Sequence, residues 1–175
     1  MIDPVDGTSG FVRGLPVWAT LLALLHGEDV IVAMVSAPAL GRRWWATRGG
    51  GTFVNASPCW VSTVIALSDA QVSVTFDAGW HDLGLTGALA AIQLDARRSR
   101  GFGDFWQHVL VAEGSLDVAI DAVGVAPHDV AAVRLIVEEA GGMFTDRHGV
   151  PAHDHGTAIS SNGILHDEII GRLRG

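Results

Sequence analysis

Asp3 and Asp6 stand three residues apart around Pro4 and Val5, and Gly7 and Thr8 follow to give "DPVDGT". Two carboxylates in a segment stiffened by proline can converge on a hard divalent cation, and the Val5 carbonyl offers a further oxygen ligand. Gly7 and Thr8 would then open a short helix whose N–H groups face an anion. Metal, carboxylates and helix start together describe a phosphate site. Taken alone, the same hexapeptide is more often just a turn after a strand that ends at Ile2, because Asp-Pro and Asp-Gly are turn formers in their own right. It is not an EF-hand loop, whose acidic ligands alternate along the chain.

Other residue types that could do chemistry divide into a few groups. Asp129 heads the clearest helical pattern of the chain, where an aspartate serves as N-cap and complements the helix dipole; the cap does not exclude metal ligation. Asp104 follows "RGFG" and is either a cap for the helix carrying Trp106 and Val109 or a carboxylate offered to a ligand. "HDH" at 153–155 reads as a solvated loop rather than a metal site. Cys59 has no evident base beside it and reads as an inert thiol. Trp44 and Trp45 fall on opposite faces of a strand, and Arg42, Arg43 and Arg48 read as a solvated face. "RGFGDF" lacks the third glycine of a dinucleotide fingerprint.

Composition narrows the chemistry. The chain of 175 residues is 49% hydrophobic with 22 glycines, enough for one good core with many turns. The net charge of −8 argues against a nucleic-acid surface. All 11 basic residues are arginine, so a Schiff-base lysine and a P-loop are both excluded. Aspartate dominates the 19 acids, which suits turns, caps and hard-metal coordination. The apolar runs are too short to span a bilayer, no secretion signal stands at the N-terminus, and one cysteine fits a reducing compartment. A cytoplasmic protein with no membrane partner is expected.

The elements that must position these groups follow from periodicity. Val17–Leu25 and Val30–Ser36 read as strands joined by a hairpin at "HGED", and Arg42–Arg48 with "TFV" as a second pair around the glycines. "QVSVTF" at 71–76, Arg97–Gly101, Leu116–Ile120, Met143–Asp146 and Thr157–Ser160 read as strands. Helices are expected over His81–Leu94, Phe105–Glu113, Asp129–Ala140 and Leu165–Leu173. A single domain is expected over 1–175, with a hairpin-rich half at 1–66 and an α/β half at 67–175.

"DPVDGT" resembles the DP-[IV]-DGT metal motif of the inositol monophosphatase family. "FVRGLPVWATLLALL", "VIVAMVSAPALGRRWWATRGGGTF" and "SRGFGDFW" are similar to its histidinol-phosphatase branch, and "HDVAA" at 128–132, "VEEAGGMFTD" and "SSNGILHDE" continue in register. The resemblance covers essentially the whole chain. It implies a layered α/β/α/β/α sandwich, N-terminally truncated, and a magnesium-dependent phosphate monoesterase, with manganese as the alternative ion. Carried over by position, Asp3 would bridge two ions with the Val5 carbonyl on one, and Asp6 and Asp129 would hold the other. Thr8 would orient the attacking water and the Gly7 and Thr8 amides would receive the phosphate. Gly103 and Asp104 would face the substrate, where a carboxylate suits a small phosphorylated metabolite with a cationic group, such as histidinol phosphate.

Several positions depart from the family pattern. The resemblance places about another third of the family's length before Asp3, including a helix pair, a metal-binding glutamate and a carboxylate that activates the water. The expected Asn is Gly10, the expected Trp is His128, and the expected Glu is Ala122, with Asp121 beside it as a substitute. The chain therefore reads either as a histidinol-phosphate or related phosphatase, whole or in part, or as a non-catalytic metal- and phosphate-binding relative. On the first reading it turns over poorly without the preceding segment. An uncovered apolar surface around Val17, Trp18 and Leu21–Leu25 is expected to draw a second copy or a separate N-terminal fragment.

Overall fold

The computed structural model describes residues 1–174. Ile2–Asp6 (β1) pairs antiparallel with Ala19–His26 (β2), which forms the expected hairpin with Asp29–Ala37 (β3). Arg42–Thr47 (β4), Gly51–Val54 (β5) and Ser57–Cys59 (β6) continue the sheet in chain order to six strands. The second sheet is built from Gln71–Val74 (β7), Arg98–Arg100 (β8), Val118–Ile120 (β9), Met143–Thr145 (β10) and Ile159–Ser161 (β11), in the order β10-β11-β9-β7-β8. There β7 runs parallel to β8 and β9, while β11 is antiparallel to both of its neighbours. Among the described residues there are six α-helices: Thr8–Val12 (α1), Ala78–Asp82 (α2), Thr86–Asp95 (α3), Asp104–Ala112 (α4), Pro127–Glu139 (α5) and His166–Arg174 (α6).

Helices α4 and α5 lie between the sheets, and α3 and α6 cover the far side of the second sheet. The layers are sheet, helices, sheet, helices. Four of the five layers that the resemblance implies are thus present among the described residues. Val130, Val133 and Val137 mark one stripe of α5, but Ala131, Ala132, Leu135 and Ile136 are buried as well. A helix covered on two sides has little need of a polar face. Thr52 ties it to the first sheet by donating from Oγ1 to the Ile136 carbonyl at 2.6 Å.

Four expectations change. The helix expected over His81–Leu94 is two helices, because Gly84 takes φ of 74° and ends the first turn of structure before Thr86 begins the next. Strand β1 does not end at Ile2 but runs through both aspartates. Leu21 and Ala23 are core residues, and Val17 and Trp18 are half-buried. The apolar surface lies instead on the other parity of the same strands, where Ile2, Leu22, Met34, Trp45, Phe53 and Pro58 face one another across all six. Ile2 is 64% exposed there, and Leu24 in the adjacent row 57%. Trp44, on the inner face, is fully buried; its indole N–H and the Arg42 guanidinium both donate to Glu113, so Arg42 is a paired group rather than a solvated one.

The middle helix layer should therefore dominate stability. Ile136→Ala, at a fully buried position packed against the first sheet, is expected to cost about 3 kcal/mol in a urea titration. Leu94→Ala, at an 84% exposed position of α3, should stay within about 0.5 kcal/mol of the parent.

Candidate metal and phosphate site

Residues three apart on a regular strand point to opposite faces. Asp3 and Asp6 nevertheless are both 8% exposed and both face inward. Asp3 pairs with Leu21 and Asp6 with Ala19, so three steps along β1 match two along β2. This bulge resets the parity between the aspartates. Pro4, with no N–H to give the ladder, lies within it, and its carbonyl accepts from Thr20 Oγ1 at 2.9 Å. The Val5 N–H turns back to Asp3 Oδ1 at 3.0 Å.

Gly7 makes the next turn. Its φ is 77°, and a Cβ there would lie 2.8 Å from the Val17 carbonyl oxygen, so both the backbone and the space demand glycine. Thr8 opens α1, and its hydroxyl donates to the Val5 carbonyl at 2.6 Å. That bond uses the Thr8 proton and leaves the hydroxyl oxygen free to accept. The first N–H groups of α1 have no acceptor within the helix and point out of its start.

From the middle layer, α5 brings Asp129 to β1. Asp129 is the third residue of the helix rather than its N-cap: α5 starts at Pro127, and Asp129 Oδ2 accepts the Ala126 N–H at 2.7 Å. The cap residue, Ala126, has no side-chain acceptor of its own, so Asp129 supplies the only capping bond. Its Oδ1 lies 3.3 Å from His128 Nε2. Ligand atoms of Asp3, His128 and Asp129 all fall within 4.8 Å of one another. His128, which the sequence marked only as a departure from a family pattern, is thus a member of the cluster. Asp6 is set back from that trio, with Oδ2 accepting the Phe105 N–H at 2.7 Å. Gly103 and Asp104 take φ of 69° and 48°, and this sharp entry into α4 carries Asp104 Oδ2 over the Gly7 turn. The carboxylate is exposed to the cleft rather than used as a cap.

Asp3, Asp6, Asp104, His128 and Asp129 line an open cleft of about 310 Å³ with the Val5–Ser9 turn, and among the described residues His128 is its only side chain that can carry positive charge. Burial pushes the Asp6 carboxyl up to about 8, assisted by the negative charges of Asp104, Asp3 and Asp129. Asp3 is raised by burial and by Asp129, and Asp104 by burial and by Asp121 and Asp129. Carboxylates gathered with one histidine beside them and a backbone carbonyl at hand fit a hard divalent cation. A smaller recess of about 120 Å³ shares Asp6, Asp104 and Asp129 with the cleft and is closed by Asp121 and Thr75.

Elsewhere the candidates resolve into structural roles. His155 of "HDH" bonds through Nδ1 to Asp146 Oδ2 at 2.8 Å. Burial opposes ionisation of Asp146, but the Val150 amide, His155 and the His148 amide hold its carboxyl low. Cys59 is buried, and burial with nearby Glu113 pushes its thiol up to about 11, far from a reactive thiolate.

Residues 1–174 match the model of the inositol monophosphatase family. The chain is 44% identical to a histidinol-phosphatase of Streptomyces coelicolor and 43% identical to one of Mycobacterium tuberculosis, in each case over 99% of this chain and 68% of the relative. Among solved structures it is similar to an IMPase of Thermotoga maritima, with a TM-score of 0.88 at 32% identity over 99% of this chain and 67% of that one.

The raised Asp6 carboxyl has a consequence for stability. Its folded-state value of about 8 lies above the ordinary 3.8, so folding takes up a proton between those limits. The stability this group contributes is complete below pH 4 and is lost as pH rises to 8. In metal-free protein, Asp6→Asn should therefore gain on the parent by roughly 5 °C in Tm between pH 5 and pH 8.5. Excess magnesium should shrink the difference, and parallel Tm curves would remove Asp6 as its source.

Proposed function

The chain belongs to the inositol monophosphatase family, and on that footing we propose that it is a magnesium-dependent phosphate monoester hydrolase whose substrate is histidinol phosphate. One observation carries the reading: Asp3 on β1 and Asp129 on α5, far apart in sequence, bring their carboxylate oxygens to within 4.8 Å of each other at the start of α1. A purely structural cluster of this charge would require cationic partners, and among the described residues that line the cleft only His128 is at hand. The histidinol-phosphatases at 44% and 43% identity support the choice of substrate, as does a cleft rim rich in carboxylates.

In this reading Asp3, Asp129 and the Val5 carbonyl would hold magnesium or manganese, with Asp6 behind them and His128 as an added nitrogen donor. Bound magnesium supplies charge neutralisation for the phosphate and a more acidic water. The amides of Gly7 and Thr8 would receive phosphate oxygens at the start of α1. Thr8 donates its hydroxyl proton to the Val5 carbonyl, so its oxygen would accept a hydrogen bond from the attacking water and orient it. Gly103 and Asp104 would meet the remainder of a small phosphorylated metabolite, where Asp104 offers charge to a cationic group. Asp6 fixes that side of the site by holding the Phe105 amide, and with it the start of α4.

Two measurements test this. Asp129→Asn should lower kcat/KM for histidinol phosphate by about 100-fold or more, with the fold retained by circular dichroism. By calorimetry, Asp3→Asn and Asp129→Asn should each weaken magnesium binding. A variant with unchanged turnover and unchanged metal affinity would remove that residue from the site and overturn the reading.

A further inference from the structure

Behind the recess runs a buried polar chain that the phosphatase chemistry leaves unused. His108 on α4 is fully buried, with Nε2 2.9 Å from Asp121 Oδ2 and Nδ1 2.7 Å from Ser160 Oγ. Ser160, on β11, is also fully buried. A carboxylate only accepts, so Nε2 carries a proton, and in the neutral imidazole the Ser160 hydroxyl donates to Nδ1. The remaining atoms of Asp121 are fixed as well. Oδ1 accepts the Ala122 N–H at 2.8 Å, the carbonyl accepts from the Trp80 indole at 2.8 Å, and the amide donates to Ala158 at 2.9 Å. His108 and the Ala122 amide thus hold the Asp121 carboxylate, Trp80 holds its backbone, and the carboxylate lines a recess shared with Asp104.

Pure stability does not require this arrangement, since buried polar chains of this kind are often replaced by apolar residues without loss. Its distinguishing feature is direction. Asp121 is 6% exposed, and it closes the recess that opens beside Asp6 and Asp129. A volume of about 120 Å³ suits an ammonium or imidazolium group and not a second phosphate, which two fixed carboxylates would repel.

Resting on the phosphatase reading above, we propose that His108, braced by Ser160, is a positioning residue that aims Asp121 into the recess, so that Asp121 and Asp104 together receive the cationic end of a phosphate ester. His108 touches no substrate. It acts by fixing the tautomer and rotamer of the pair, and the selectivity it confers appears in KM for a cationic ester.

The test compares histidinol phosphate with glycerol 2-phosphate, which carries no cation. His108→Phe should raise KM for histidinol phosphate about tenfold with kcat within about twofold, and leave KM for glycerol 2-phosphate unchanged. His108→Gln, which keeps a donor, should recover part of the loss, and Ser160→Ala should raise the same KM about threefold. If His108→Phe fails to fold, Asp121→Asn and Ser160→Ala carry the comparison. Equal effects on both esters, or none on either, would overturn the proposal while the phosphatase reading stands. A parent that hydrolyses neither ester would overturn that reading and the proposal with it. Imidazole nitrogen shifts check the relay without turnover: the His108 proton should reside on Nε2 in the parent, and an Nδ1–H tautomer there would overturn it.

Discussion

The candidate site depends first on one parity shift in an edge strand. Without the bulge between Asp3 and Asp6, one carboxylate would face the apolar outer row with Ile2 and Leu22 and the other would face the helices. Proline makes the shift tolerable, because it gives up a ladder donor that the bulge could not have used. The Asp3 side chain then captures the freed Val5 N–H, and Thr20 takes the Pro4 carbonyl. Local backbone satisfaction and the placement of both acids are therefore the same event.

Layer packing supplies the remaining half of the site. Because α5 is buried between two sheets, its position is set by apolar contact along seven buried side chains, and its N-terminus cannot move independently of β1. Asp129 is consequently delivered to Asp3 by the core. Electrostatics opposes this delivery: the carboxyls of Asp3, Asp6 and Asp104 are all raised by burial and by neighbouring carboxylates, Asp129 among them in each case. Packing free energy holds the acids together against that repulsion, which a bound divalent cation would relieve. The same logic applies at Gly7 and at Asp104, where positive φ is kept by surrounding structure.

The second sheet is more than a support for the first. Its strand β9 ends beside the recess, where the antiparallel β11 begins, and Asp121 leaves β9 at the point where the chain turns toward α5. Polar groups that would be expensive inside a core are gathered there into a satisfied chain, Ser160 to His108 to Asp121. Core and site are continuous at this point. A change in either one is felt through hydrogen bonds of fixed direction.

Much of this was legible in the residues. The hairpin at "HGED", the strand around Trp44 and Trp45, and the helix ended by Gly141 follow from alternation, spacing and turn chemistry, and the structure has each within a few residues. "DPVDGT" marked the carboxylates, and the resemblance tied Asp129 and Asp104 to them. Legibility failed where the answer depended on something distant. Gly84 divides one apparent helix because Trp80 and Leu89 must both reach the same core. Leu21 is inside and Leu24 outside because partner strands choose the parity, which a nine-residue apolar run does not encode. Asp129 stands third in its helix because the chain approaches from β9 through Pro127. His128 joins Asp3, and His108 joins Asp121 and Ser160, only through contacts between separate layers. Local sequence determined which groups could do chemistry and the elements that carry them; the packing of two sheets around α4 and α5 decided which of those groups meet, because register and burial are properties of the partner surface.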